Sequence, residues 1–141
     1  MGEHDLSRFV KAQQGSYQTA LSEIKRGRKM SHWMWYVFPQ IAGLGMSPTA
    51  QYYAVQNLEE AREYLDDPVL GPRLAEISRA LLALDTDDAE YVFGWPDNMK
   101  LRSSMTLFSL VSMDDAVFQD VLDKYYGGEP DELTLSILGR R

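Results

Sequence analysis

Apolar residues in this chain recur at three- and four-residue steps, and no pair of alternating strands with hairpin chemistry appears. In "DLSRFVKAQQGSYQTALSEIKRGRK" the residues Phe9, Gln13, Tyr17, Ala20, Leu21 and Ile24 fall at helical spacing, which predicts one long first helix. Asp5 stands where an N-cap belongs, and Lys25, Arg26, Arg28 and Lys29 suit the negative end of the helix dipole. Gly15 lies inside the pattern at a cost of about 1 kcal/mol relative to alanine, and it leaves room for another backbone to come close.

The same reading continues along the chain. The apolar run "MSHWMWYVFPQ" ends at Pro39, which stops or kinks a helix, and "AGLGMSP" is a loop. Ser47 followed by Pro48 starts a short helix, and Asn57 with Glu60 has the spacing of a capping box before "NLEEAREYL". Asp67 with Pro68 opens "PVLGPRLAEISRALLAL", regular only beyond its first turn because of Pro72. "TDDAEYVFG" is read as a short helix, with a strand as the alternative. Asp97 is placed as the cap of a helix over 98–111, and Ser112 with Asp115 as a box before a helix that Gly127 and Gly128 end. "PDELTLSIL" supplies a last short helix. The expected architecture is all-α: a compact multihelical bundle of about six to eight helices, several short, forming a single domain over 6–141 behind a mobile N-terminus over 1–5.

Composition narrows what such a bundle does. With 45% hydrophobic residues in 141, the chain can bury a core of its own. Its net charge of -7 argues against general affinity for nucleic acid or for an anionic membrane surface. There is no cysteine, which removes disulfides and thiolate chemistry. The start lacks the basic-then-apolar pattern of a signal peptide and no apolar run approaches membrane-spanning length, so a cytoplasmic location is expected.

Candidate chemistry is thin. Of the two histidines, His4 falls in the predicted mobile terminus, and no H-E-x-x-H or similar spacing gathers metal ligands, so no metal and no cofactor is expected. No G-x-S-x-G elbow is present, which leaves His32 as the candidate acid–base residue near neutral pH. The run "KRGRKMSHWMWY" has the residue types of a nucleic-acid patch, but at this net charge it reads as a helix C-terminus followed by core aromatics. "GLGMSPT" sets Gly43 and Gly45 just before a helix start, where free N–H groups favour an anion. "GWPDNMKLRSSMT" places Lys100, Ser103 and Ser104 within one turn beside Trp95 and Asp97.

Taken together, "AQ…Y…AL.EI..GRK.SHWMWYVFPQIAGLG.S", "EAREYL", "PVLGPRL", "FGWPD..KLRSSMTLF" and "D..TL..L" resemble the small bacterial domain-of-unknown-function family eighteen-ten, some members of which carry a mistaken calpastatin label. The resemblance runs from Phe9 to Leu138 and implies a compact multihelical fold with no established activity or catalytic residue. One departure is visible: family members often carry His before the Pro-x-Leu-Gly segment, where this chain has Asp67. A weaker, architectural likeness is to the NADAR helical proteins, linked to ADP-ribose chemistry.

Two functional expectations follow. In the first, the chain binds an anionic small molecule, nucleotide-like or ADP-ribose-like: Trp33 or Trp35 walls the ligand, Gly43, Gly45 and Lys100 take anionic oxygens, and Gln40, Asp97, Ser103 and Ser104 orient it. His32, Gln40 and the Lys100–Ser104 turn are expected to meet in one pocket, with Trp35 and Phe38 in the core wall. In the second, the chain is a non-enzymatic interaction module that uses an aromatic and Met-rich surface. The sequence carries no signal for an oligomeric state.

Overall fold

Every regular element among residues 4–140, which the computed structural model describes, is a helix. The ten helices are α1 (Ser7–Gln14), α2 (Tyr17–Lys25), α3 (Met34–Val37), α4 (Pro48–Tyr52), α5 (Leu58–Asp66), α6 (Leu70–Leu82), α7 (Ala89–Phe93), α8 (Asp97–Val111), α9 (Val117–Tyr126) and α10 (Glu132–Ile137). The all-α expectation holds, and the number of helices exceeds the six to eight read from the pattern. Two causes account for this. The first apolar pattern is broken at Gly15 and Ser16 into α1 and α2, although its spacing carries on across the break. The aromatic stretch also folds into the four-residue α3 before Pro39.

Local signals explain most of the boundaries. Ser47, Asn57 and Asp131 each accept a backbone N–H from three residues ahead, which starts α4, α5 and α10. Asp88 does the same for α7. Gly127, at φ 64°, ends α9 in the left-handed conformation that glycine adopts without strain. Pro72 sits in the first turn of α6, where its missing N–H has no intrahelical acceptor to lose. Three expected caps form differently, the first because Leu6 and not Asp5 is the N-cap of α1, with no side-chain cap bond. Asp97 is the first residue of α8 and makes no cap bond; Ser112 Oγ donates to the Asp115 carbonyl, while the Asp115 carboxylate takes the Val117 N–H. Of the predicted mobile terminus, residues 1–3 lie outside the described residues. His4 is bonded to Glu63, and Asp5 takes the Ser7 N–H.

α8 is the central strut, packed against α5, α7, α9 and α10, with α6 bracing α2, α5 and α9 from the other side. Because neighbours surround it, α8 buries polar residues as well as apolar ones. Ser103 and Thr106 satisfy their hydroxyls by donating back to the Met99 and Arg102 carbonyls. Trp33, Phe38 and Phe93 form one aromatic cluster, and Tyr64 stands between Phe9 and Phe108 at 5.1 Å from each ring. A single parallel bridge pairs Ile41 with Val55: the Ala42 N–H donates to the Val55 carbonyl, and the Val55 N–H to the Gln40 carbonyl, each at 2.8 Å.

Two buried side-chain atoms on α8, Asn98 Oδ1 and Ser104 Oγ, have no hydrogen-bond partner among the described residues, and Ser104 lies fully in the core. Removing an unsatisfied hydroxyl relieves a burial cost of about 1–3 kcal/mol. Ser104→Ala is therefore expected to raise the melting temperature by a few degrees; a fall would show that the hydroxyl is bonded after all.

Candidate functional site

The segment that follows α2 is shaped by one buried carboxylate. Glu23, only 5% exposed, accepts the Met30 and Ser31 backbone N–H groups, the Ser31 hydroxyl and the Trp33 indole N–H. Burial alone opposes ionisation of this carboxyl. The four donors outweigh it and hold the pKa at about 2 instead of 4.5. The loop is thereby fixed, and the Lys29 N–H bonds the Val92 carbonyl of α7 at 2.7 Å.

That crossing brings the two long motifs together. The Lys29 ammonium lies 2.9 Å from one Asp97 oxygen and the Lys100 ammonium 3.2 Å from the other, so two cations share a single carboxylate. Each ammonium also stands over an indole, Lys29 at 5.2 Å from the Trp33 ring and Lys100 at 5.2 Å from the Trp35 ring. Lys100, Asp97 and Trp35 are thus joined, as residues of the expected site.

Other members of the expected site are placed otherwise. Trp33, not Trp35, is the core tryptophan: Trp33 is 1% exposed, while Trp35 is half-buried beneath Lys100. The Glu23 carboxylate decides this, because it can reach the indole N–H of Trp33. Phe38 lies in the core as expected. His32 is exposed and makes no hydrogen bond or ring contact among the described residues, so no acid–base partner is positioned for it. The Gln40 carbonyl serves the Ile41–Val55 bridge, and no bond links its side chain to the Lys100 turn. Gly43 and Gly45 serve packing: a Cβ on Gly45 would meet the Ala50 side chain at 2.5 Å, and one on Gly43 the Ile137 side chain at 3.3 Å. The start of α8 has few free donors, since the Asn98 N–H bonds the Gly94 carbonyl and the Met99 and Lys100 N–H groups bond the Pro96 carbonyl.

Around the junction lies a surface that the pattern of apolar residues hides. Met30 and Trp95 are each 74% exposed, Tyr91 60% and Met99 44%. Arg28 stands over the Tyr91 ring at 5.8 Å, and Lys25, Arg26 and Arg28 form no ion pair among the described residues. Sequence reasoning treats these cations as complements to a helix dipole, counts Met30 within an apolar stretch and gives Tyr91 no role. The signal was "KRGRK" directly ahead of the aromatic run.

A second cluster escaped the sequence because its members are remote in the chain. His4, Glu59 and Glu63 bring potential metal-ligand atoms within 4.8 Å of one another. The hydrogen bond from His4 to Glu63 raises the imidazole pKa, which favours the protonated ring over a metal-binding one. No described helix is long and apolar enough to cross a membrane.

The comparisons agree with this architecture. A crystal structure described as the conserved hypothetical protein Rv1873 from Mycobacterium tuberculosis is 46% identical to this chain, with 96% of each chain covered and a TM-score of 0.93. No curated protein gives a match. The model of the family described as "Protein of unknown function (DUF1810)" matches residues 3–138, and the chain belongs to that family.

Proposed function

We propose that this domain is a non-enzymatic interaction module, and that its docking face, formed by the segment after α2 together with α7 and the start of α8, takes an acidic segment of a partner protein bearing an apolar anchor. One observation carries this reading: Met30, Tyr91, Trp95 and Met99 are exposed, and Arg28, which forms no ion pair among the described residues, stands over the Tyr91 ring, on a protein whose net charge is -7. Aromatic, Met and Arg residues of this kind supply interface anchors. A local excess of cations on an acidic molecule suits a short acidic segment better than a long polyanion, which the remaining surface repels.

A smaller anionic ligand, nucleotide-like or ADP-ribose-like, is the second reading. The two ammonium groups on one Asp97 carboxylate favour it, because they leave one positive charge unmatched, with Lys100 over the half-buried Trp35 ring.

One experiment separates the two. Fluorescence anisotropy of labelled acidic peptides, each with one Trp, Phe or Leu, is expected to show binding that Arg28→Glu and Trp95→Ala each weaken at least tenfold without changing the melting temperature. Equal binding by wild type and both variants removes the module reading. Saturable quenching by ADP or ADP-ribose that Lys100→Ala abolishes and Arg28→Glu spares would establish the second.

A further inference from the structure

Where α8 ends, α5, α6 and the α8–α9 connection line a cleft of about 530 Å³. Its floor is apolar, built from Leu65, Ala75, Val111 and Phe118. Gly71 makes this floor possible: an ideal Cβ there would fall 2.0 Å from the Leu65 carbonyl oxygen, so only glycine lets the first turn of α6 press against the end of α5. The connection that forms the opposite wall is also held. Arg79 is ion-paired with Asp115, whose carboxylate takes the Val117 N–H and whose carbonyl takes the Ser112 hydroxyl.

The rim carries charges of both signs that have no partner. The Arg62 side chain on α5 forms no ion pair or hydrogen bond among the described residues, and neither do the side chains of Asp66 on α5 and Asp114 on the connection. A purely anionic ligand would face Asp66 and Asp114, and a purely cationic one would face Arg62. A neutral apolar ligand would leave all three unmatched. A zwitterion with an apolar body meets every group, its carboxylate on the guanidinium and its ammonium on the carboxylates. The volume lies in the range of about 300–1,000 Å³ typical of small-ligand pockets and leaves room for more than a single amino acid.

We infer that this cleft is a binding site for a short apolar peptide with free termini, recognised at its carboxylate by Arg62 and at its amine by Asp66 and Asp114. Nothing in this site overlaps the Trp95 face, so it stands or falls separately from the reading above.

Titration calorimetry of the full chain with leucyl-phenylalanine tests it, alongside the N-acetylated and C-amidated forms of that dipeptide. Binding is expected for the free dipeptide, with at least a tenfold loss on blocking either terminus. Arg62→Ala is expected to weaken the free dipeptide tenfold and to leave the C-amidated form where it was. Ala75→Trp should fill the floor and abolish binding. Should that variant lose its fold, the exposed Arg62→Ala and the capped ligands still decide. Absence of binding by free leucyl-phenylalanine overturns the inference, as does equal binding of the free and capped forms.

Discussion

Glu23→Ala is expected to destabilise the domain by about 3–5 kcal/mol, a large share of the roughly 5–15 kcal/mol that domains of this kind possess. The carboxylate satisfies the Met30 and Ser31 N–H groups and the Trp33 indole N–H, and truncation leaves these donors facing a space without an acceptor. Chemical denaturation measures the loss. A pH dependence accompanies it. The folded pKa of about 2 lies below the ordinary 4.5, so the stabilisation is complete above the unfolded value and disappears as the pH falls through the folded one. Acid melts of wild type and Glu23→Gln should therefore converge between about pH 4.5 and pH 2. Curves that stay parallel through that window would show that Glu23 is not ionised in the fold.

Gly71→Ala is expected to cost about 3 kcal/mol or more, at the upper end of overpacking effects, because the atom it meets belongs to the backbone and cannot rotate aside. The added Cβ would stand 2.0 Å from the Leu65 oxygen and 2.8 Å from the Leu65 carbonyl carbon, which forces α5 and α6 apart. Gly15→Ala is the matched control: nothing lies within 4 Å of its Cβ position and its φ is -98°, so a gain of about 0.4–1 kcal/mol is expected there. Thermal unfolding of the pair measures both effects; similar melting temperatures would contradict the assigned role of Gly71.

These two positions also show what the chain made legible. Capping residues such as Ser47, Asn57 and Asp131 act within one turn, so the sequence displays donor and acceptor together, and the all-helical class followed from them. The break at Gly15 stayed hidden because Phe9, Tyr17 and Ile24 keep helical spacing across it while entering one core from two helices. Choosing between Trp33 and Trp35 depended on Glu23, a partner on a different helix that periodicity does not register. Asp97 had the spacing of a cap, and the approach of Lys29 from a distant segment, added to Lys100 one turn along α8, made it an ion-pair centre. The expected meeting of His32, Gln40 and the Lys100 turn is not what the fold makes: Trp35, from the same aromatic stretch, lies under Lys100 instead. The exposure of Met30, Tyr91 and Met99 was not legible either, since an apolar residue on a solvent face looks the same in sequence as one in the core.

The bridge between Ile41 and Val55 has a consequence for how this fold can vary among its relatives. It closes the excursion over residues 42–54 at its base, so the chain leaves and re-enters the bundle at nearly one point. Lengthening a loop closed in this way costs only slowly increasing entropy and does not move the segments on either side. Residues inserted within this excursion are therefore expected to leave the aromatic stretch and α5 in place, which an unchanged melting temperature after a short Gly-Ser insertion in the 42–46 loop would check.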